Sequence, residues 1–213
     1  LLPGNYSYLT ADYLSEKFPA VETDDNIYIA SHVVATPALA ERVASLAPGE
    51  VLTGETTGGE HMMIAMRGTA SHFAELSAGT PEGVAFPDKV EVITRLYDIF
   101  LLNGRQIEDD FQILTHRREG QVIPRSNTVI GDPEQIFIES GAIVEGVVLN
   151  ASHGPIYVGR HVEIMEGSCL RGPISLGEHS TVNMGTRIYP GTSLGPWCKV
   201  GGELNNVVMF GFS

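Results

Sequence analysis

The clearest pattern in the chain is an aliphatic residue at every sixth position of its C-terminal part. The residues in this phase are Val158, Ile164, Leu170, Leu176, Val182, Ile188, Leu194 and Val200. Four residues after each stands a mostly small or aliphatic residue: Val162, Ser168, Ile174, Ser180, Thr186, Thr192, Cys198 and Leu204. A period of six fits neither an amphipathic helix nor long strand alternation. It predicts a left-handed parallel β-helix, with one hexapeptide on each of three faces and the aliphatic side chain pointing inwards.

The same phase extends upstream to Ile138 and Val144. The wider gap between Val144 and Val158 predicts a small loop at Asn150-Ala-Ser-His-Gly-Pro155. Glycine directly follows the aliphatic position at four places, where we expect it to supply backbone freedom for the turn: Gly159, Gly177, Gly195 and Gly201. We assign the β-helix to residues 128–213. An ordinary antiparallel meander would need turn residues at irregular spacings instead of this unbroken register.

The N-terminal half has the pattern of an α/β domain, which we assign to residues 1–95. The predicted elements are a helix capped by Thr10 and running through Phe18, a strand at 26–30, a helix from Thr36-Pro37 to Pro48-Gly49, and strands at 50–53 and 61–66. Gly58-Gly59 is interpreted as the turn between the last two strands.

A helical connector is predicted at residues 96–127. Apolar residues recur there with helical spacing at Leu96-Tyr-Asp-Ile-Phe100, Ile107, Phe111 and Leu114. We expect its apolar side to pack against the base of the coil.

The composition is acidic, with 26 acidic and 13 basic residues and a net charge of −13. Such a surface repels phosphate backbones, so nucleic acid is not an expected partner. No apolar stretch approaches the roughly 20 residues of a membrane span, and we expect a soluble cytoplasmic protein. Cys169 and Cys198 have no metal-ligand spacing and are interpreted as reduced structural thiols.

The first half offers little catalytic chemistry by motif. There is no phosphate-binding P-loop and no GxGxxG after a strand. His61 and His72 lack a carboxylate pattern, and we interpret them as ordinary surface or core histidines. Asp24-Asp25 and Asp109-Asp110 are interpreted as solvated acids or helix-end acids, not as metal ligands.

The repeat resembles that of the hexapeptide-repeat transferases, aliphatic–Gly–x–x–small–x, most closely at Leu176-Gly-Glu-His-Ser-Thr181. This resemblance implies a homotrimer and an acyl donor such as acetyl-CoA in the groove between neighbouring helices. Three further strings resemble the GlmU-like sugar nucleotidyltransferases: Tyr97-Asp-Ile-Phe100, Asn127-Thr-Val-Ile-Gly131 and Gly201-Gly-Glu-Leu-Asn-Asn-Val-Val208. In that family a nucleotidyltransferase domain precedes a β-helix that carries an acyltransferase site for glucosamine-1-phosphate. The resemblance therefore implies that residues 1–95 are an incomplete nucleotidyltransferase-like domain.

The sequence departs from that family at several functional positions. The family's glycine-rich nucleotide loop is not found in residues 1–127, so use of a nucleoside triphosphate with Mg²⁺ would need a segment outside this chain. We therefore expect this chain to be an internal piece of a longer protein. Tyr189 stands where the family has Arg before Pro-Gly, and Asn205 stands where it has Lys. The family's general-base His lies in a later coil, so the catalytic residue is expected outside this chain.

These observations define a predicted substrate site on the β-helix. The resemblance implies that Glu203, Asn205 and Asn206 line a sugar pocket near Tyr189. The cations left to contact phosphate are Arg171, Arg187 and Lys199. The expected partner is a sugar phosphate or a nucleotide sugar.

Two functions stay open at this point. One is a sugar-phosphate transferase, acting in nucleotidyl or acetyl transfer during nucleotide-sugar synthesis. The other is a non-catalytic trimeric scaffold or a regulatory protein that binds a nucleotide sugar. A carbonic-anhydrase-like metal site would need three histidines on adjoining coils. His161 and His179 are one coil apart and should stack, but the next coil has Trp197.

Overall fold

The computed structural model describes residues 4–77 and 82–213. Contacts divide the chain into two compact units, residues 1–94 and residues 95–213. Each unit has its own cluster of buried apolar side chains. The predicted order, an α/β region followed by a parallel β-helix, is confirmed.

The first unit is a four-stranded sheet with short helices. Its helices are α1 (Asp12–Ser15), α2 (Pro37–Ala44) and α3 (Ala70–Ser77), and its strands are β1 (Asn26–Ile29), β2 (Val51–Glu55), β3 (His61–Gly68) and β4 (Val84–Ala85). The strand order is β1-β3-β2-β4. Strand β3 is antiparallel to both of its neighbours, and β4 is parallel to β2. The core lies between α2 and the sheet and is formed by Leu39, Val43, Leu46, Leu52, Ile64, Ala65 and Val90.

The start of α2 follows the predicted mechanism. Thr36 is the N-cap residue, and its hydroxyl accepts a hydrogen bond from the Leu39 N–H at 3.2 Å. Pro37 occupies the first turn, where its missing N–H costs no hydrogen bond. Leu39 and Val43, one helical turn apart, are buried on one side of the helix.

The predicted helix from Thr10 to Phe18 is wrong in its start and length. The helix comprises only Asp12–Ser15 and has Ala11 as its N-cap residue. The Thr10 hydroxyl is buried and has no hydrogen-bond partner among the described residues. The physical reason is length: this segment buries no helical side chain, and a single turn without packing cannot propagate.

The second unit is a parallel β-solenoid of about 5 turns, preceded by the helix α4 (Asp98–Thr115). Its strands form three sheets, one on each face. The face A strands are β5 (Thr128–Ile130), β8 (Val148–Asn150), β11 (Cys169–Arg171), β14 (Arg187–Ile188) and β17 (Glu203–Leu204). The face B strands are β6 (Ile136–Ile138), β9 (Ile156–Val158), β12 (Ile174–Leu176), β15 (Thr192–Leu194) and β18 (Val208–Met209). The face C strands are β7 (Ile143–Val144), β10 (Glu163–Ile164), β13 (Thr181–Val182) and β16 (Lys199–Val200). A single 3₁₀ turn, Pro133–Gln135, precedes β6.

The sixfold pattern maps onto inward columns of stacked side chains. Face A stacks Val129, Leu149, Leu170, Ile188 and Leu204. Face B stacks Ile138, Val158, Leu176, Leu194 and Met209. Face C stacks Val144, Ile164, Val182 and Val200. The small residues four positions later, such as Ser168, Ser180, Thr186 and Thr192, are fully buried too. The hydroxyls of all four satisfy their hydrogen bonds on backbone carbonyls, which removes the cost of burying them.

The predicted interruption between Val144 and Val158 is confirmed as a loop. Strands β8 and β9 are separated by residues 151–155. The register of face B is restored directly after it, since Ile156–Val158 pairs with Ile174–Leu176.

The role predicted for the glycines after the aliphatic positions is corrected. Gly159, Gly177 and Gly195 do not adopt positive φ. A Cβ atom at Gly177 would lie 2.5 Å from the carbonyl carbon of Gly195 in the next coil. Gly159, Gly177 and Gly195 are therefore required by the close approach of stacked backbones. Gly201 does not adopt positive φ either, and a Cβ atom there would lie 3.0 Å from the Asn183 side-chain nitrogen. The positive-φ corners are made elsewhere, at glycines such as Gly167 and Gly185.

The last coil departs from the sixfold phase. The sequence pattern places Leu204 at the position four residues after an aliphatic one, but Leu204 pairs with Ile188 and takes the aliphatic position. It follows Ile188 by 16 residues, whereas Ile188 follows Leu170 by 18. The turn between β16 and β17 is shortened, so this coil is tighter than those above it.

Helix α4 packs along face B, against β12, β15 and β18. Ile107 and Phe111 are buried in this contact, as their spacing predicts, whereas Leu114 is 45% exposed. The expectation that the helix packs against the base of the coil is therefore wrong. The side of the solenoid offers several strands to a helix of 18 residues, so it buries more apolar area than an end would.

Candidate functional site

Five of the seven predicted site residues lie together on the outside of face A. Side chains on these strands alternate between the core and solvent. Arg187 and Glu203 are neighbours in one outward column, with Cys169 beside Arg187. A second outward column lies two residues further along the chain from the first. It contains Arg171, Tyr189 and Asn205. We call Arg171, Arg187, Tyr189, Glu203 and Asn205 the polar face.

The charges of the polar face are exposed. The Arg187 Nη1 and Glu203 Oε2 atoms are 3.9 Å apart, and both side chains are more than half exposed. Such a pair is weak in water, so a ligand can displace it at little cost. Tyr189 and Asn205 supply neutral hydrogen-bonding groups beside the guanidinium groups of Arg171 and Arg187. The arrangement can donate hydrogen bonds to an anion and accept them from hydroxyls.

Two predicted site residues lie elsewhere. Lys199 is on face C, in register with Thr181, and does not join the polar face. Asn206 is at the corner after β17, with a φ of 53°. With its side-chain amide oriented so that the nitrogen faces both acceptors, Asn206 donates to the carbonyl oxygens of Phe100 in α4, at 3.1 Å, and of Gly191, at 3.3 Å. Asn206 therefore contacts the helix and not the polar face.

A second polar cluster, which sequence reasoning missed, lies around the buried carboxylate of Glu139. Both Glu139 oxygens accept hydrogen bonds from Arg118 Nη2, at 2.7 and 2.8 Å, and Oε1 also accepts from the Tyr157 hydroxyl at 2.6 Å. The Arg118 guanidinium lies over the Phe137 ring, 5.3 Å from its centroid. An open cleft of about 410 Å³ is lined by Arg118, Glu139, Tyr157, Gly159, Arg160 and Glu178.

The surroundings of Glu139 determine its protonation. Burial raises the pKa of Glu139, but the hydrogen bonds from Tyr157 and Arg118 outweigh burial and lower its pKa below the usual value of 4.5. Burial and the hydrogen bond to Glu139 raise the pKa of Tyr157. Glu139 is therefore ionised at neutral pH, and its charge is already satisfied by Arg118. The cluster has the features of a structural ion pair.

Spacing by one coil is the sequence feature that would have revealed part of this cluster. Glu139 and Tyr157 are 18 residues apart, as are Arg160 and Glu178, whose side chains are 3.2 Å apart. Residues one coil apart stand side by side in a regular parallel solenoid. Arg118 precedes the repeats, so no periodicity could place it.

A second cleft of about 410 Å³ lies between α4 and the loop at residues 151–155. It is lined by Glu108, Asp109, Gln112, Gln135, His153, Gly154 and Pro155. It shares no residue with the polar face.

The predicted stack of His161 and His179 is confirmed, and Trp197 extends it. The ring centroids are 4.9 Å apart between the histidines and 4.3 Å apart between His179 and Trp197. All three residues occupy the same corner of successive coils with φ values of 55° to 60°. In the described parts of the chain, no group of three or more His, Cys, Asp or Glu side chains is placed to hold a metal ion.

Among the candidate groups of the first unit, Asp25 is engaged in a structural ion pair. Gly58-Gly59 forms part of the turn between β2 and β3, as predicted. Asp25 pairs with Arg67 through two hydrogen-bonded nitrogens, at 2.9 and 2.6 Å. The Arg67 guanidinium also holds the Leu46 carbonyl. His61 begins β3 and His72 lies in α3.

Both cysteines are free thiols. Cys198 is buried in the solenoid core, whereas Cys169 is exposed on face A. No helix in the described ranges combines the length and apolar character needed to cross a bilayer.

The fold and the polar face define a two-part protein, an α/β region followed by a parallel β-solenoid. The family model of sugar nucleotidyl transferases matches residues 1–119, which is more than half of the chain. This chain belongs to the sugar nucleotidyl transferase family. No curated protein matches the sequence.

Proposed function

We propose that this chain belongs to a sugar-phosphate transferase of nucleotide-sugar synthesis and that the polar face holds its sugar phosphate or nucleotide sugar. Glu203, Asn205 and Tyr189 hydrogen-bond the sugar hydroxyls, while Arg171 and Arg187 contact the phosphate. The family match supports the nucleotidyltransferase lineage.

The observation that carries the proposal is the placement of two guanidinium groups beside Tyr189 and Asn205. Arg171 is one coil above Tyr189, and Arg187 is in the adjoining outward column. Guanidinium groups bind phosphate through two parallel hydrogen bonds, which makes them suited to this role. Arg171 and Arg187 would thereby take over the phosphate contacts that the resembled family makes with an arginine and a lysine.

The proposed reactions and assembly follow from the resemblance to the GlmU-like and hexapeptide-repeat transferases. Nucleotidyl transfer would use a nucleoside triphosphate with Mg²⁺, and acetyl transfer would use acetyl-CoA. The assembly would be a homotrimer, with the acyl donor between adjacent solenoids. Light scattering of the purified protein at three times the chain mass would support the trimer, and the mass of a single chain would refute it.

A non-catalytic nucleotide-sugar-binding protein is the second candidate. The polar face contains no histidine, the side chain that most often acts as a general base. His161 and His179 are held in the corner stack instead. This candidate predicts binding of the sugar phosphate without consumption of acetyl-CoA or UTP.

The test is calorimetric titration with glucosamine-1-phosphate, followed by assays with acetyl-CoA and with UTP and Mg²⁺. Glu203→Gln should weaken binding about tenfold, since it removes a charge-assisted hydrogen bond. Arg187→Ala should weaken it by a similar factor. Unchanged affinity in both variants would refute the polar face as the binding site.

Glu163→Gln is the matched control for Glu203. Glu163 precedes the inward Ile164 as Glu203 precedes Leu204, but it lies on face C. Lys199→Ala, also on face C, should leave the affinity unchanged. A loss of binding in Lys199→Ala would show that phosphate is held on face C and not on the polar face.

A further inference from the structure

One end of α4 is tied to the corner from which Tyr189 projects. Asn103, in the second turn of the helix, donates from Nδ2 to the Gly191 carbonyl at 2.7 Å. Its Oδ1 accepts a hydrogen bond from the Ser193 hydroxyl at 2.8 Å. One amide therefore bridges the residues on either side of Thr192.

The backbones are close at this point. A Cβ atom at Gly104 would lie 3.8 Å from the Gly191 Cα, so the helix approaches the corner to van der Waals contact. The Asn206 amide donates to the same Gly191 carbonyl and to the Phe100 carbonyl of the helix. The two asparagines thus fasten both corners, after β14 and after β17, to α4.

We propose that Asn103 is a positioning residue for the polar face, an inference that rests on the proposed function. Gly191 is two residues after Tyr189, and Asn206 directly follows Asn205. By fixing these corners, Asn103 and Asn206 set where the hydroxyl of Tyr189 and the amide of Asn205 stand relative to Arg171 and Arg187. Asn103 makes no contact with the ligand.

In this proposal Asn206 holds the corner in place and does not contact the sugar. Its amide hydrogens are donated to two backbone carbonyls, and its backbone occupies the left-handed region that asparagine tolerates. A side chain held in this way is preorganised and keeps the corner from adopting other conformations.

The first measurement is hydrogen exchange in the peptide 188–193 of the whole chain. In Asn103→Leu, which has nearly the same volume but no donor, the amides of Tyr189 and Gly191 should exchange faster. The matched control is Arg118→Ala. It removes the contact of Arg118 with the Leu114 carbonyl and with Glu139, and so loosens the other end of the same helix. Arg118→Ala should leave exchange in 188–193 unchanged.

The second measurement is the affinity for glucosamine-1-phosphate. Asn103→Leu should lower it about fivefold, within the range found for coupling through packed neighbours, while Arg118→Ala with a comparable loss of thermal stability should not. Equal losses of affinity in the two variants would overturn the positioning role and indicate general destabilisation. Unchanged exchange in Asn103→Leu would overturn it as well.

Failure of the proposed function gives a different result. If the wild-type chain does not bind the sugar phosphate, or Glu203→Gln binds as well as wild type, then the polar face is not the site. Exchange in 188–193 still decides whether Asn103 holds the corner. Faster exchange without any binding would limit Asn103 to the fold and overturn its role in ligand positioning.

Discussion

The two units of this chain build their cores in different ways. In the solenoid, residues such as Leu170, Leu176 and Ile188 meet nearly the same neighbours one coil above and one below. In the first unit, α2 buries Leu39 and Val43 in a cluster with Leu52 and Ile64, and no part of that arrangement repeats. A repeated environment imposes a repeated residue type, so the solenoid is visible in the sequence as a period. A core built once leaves only local patterns.

The difference extends to polar contacts. In the solenoid, the ion pair between Arg160 and Glu178 joins residues one coil apart. In the first unit, Arg67 reaches Asp25 across 42 positions of sequence. The contact within the solenoid follows from the period. The contact in the first unit depends on the pairing of β1 with β3, which brings Asp25 beside Arg67.

The largest expected effect tests the equivalence of solenoid core positions. Leu170→Ala and Leu176→Ala should each lower the free energy of unfolding by about 3 kcal/mol, because both side chains are fully buried. Denaturant unfolding followed by the fluorescence of Trp197, the only tryptophan, measures this. Leu114→Ala on the exposed side of α4 should cost less than about 0.5 kcal/mol. A difference of several kcal/mol between the two core variants would contradict the equivalence.

The next effect concerns the Glu139 cluster and its pH dependence. Glu139→Gln should cost about 1.5 kcal/mol at pH 7, since it weakens hydrogen bonds to a charged group, one of whose partners is half exposed. The folded-state pKa of Glu139 is lowered, so this stabilisation is complete above 4.5 and is lost as the pH falls through the folded-state pKa. Unfolding at pH 7 and pH 3 should show the two proteins converging at low pH. A constant difference would contradict the ionised cluster.

A smaller effect is expected at the start of α2. Thr36→Ala removes the hydroxyl that caps the Leu39 N–H and should cost about 1 kcal/mol. Thr57→Ala, in the exposed turn of the same unit, serves as the control. Hydrogen exchange of the amides in α2 reports on this unit separately from Trp197. Equal exchange in both variants would show that packing alone holds the helix.

The smallest effect concerns the corner stack. His179→Ala removes the ring between His161 and Trp197 and should cost about 0.5 kcal/mol. It should also change the fluorescence of Trp197, because one ring face loses its neighbour. His153→Ala, in the exposed loop, should do neither. An unchanged Trp197 spectrum in His179→Ala would indicate that the rings do not stack in solution.

The sequence by itself determined the solenoid, the inward residues that repeat every six positions from Val158 to Val200, and the loop between β8 and β9. It also determined the start of α2, because Thr36 and Pro37 act on the residues directly after them. The stack of His161 and His179 followed from their separation by one coil. Each of these features depends on local chemistry or on a constant period.

Only the tertiary structure decided which outward residues of the last coil stand beside Arg187 and Tyr189. The 18-residue period would place Asn205 beside Arg187, but the shortened turn between β16 and β17 puts Glu203 there instead. The tertiary structure also decided that α4 lies along face B and that Asn206 contacts this helix. The reason is that inward positions are constrained by burial, which the sequence records, whereas outward positions are constrained by packing partners distant in sequence, such as Asn103 and Arg118.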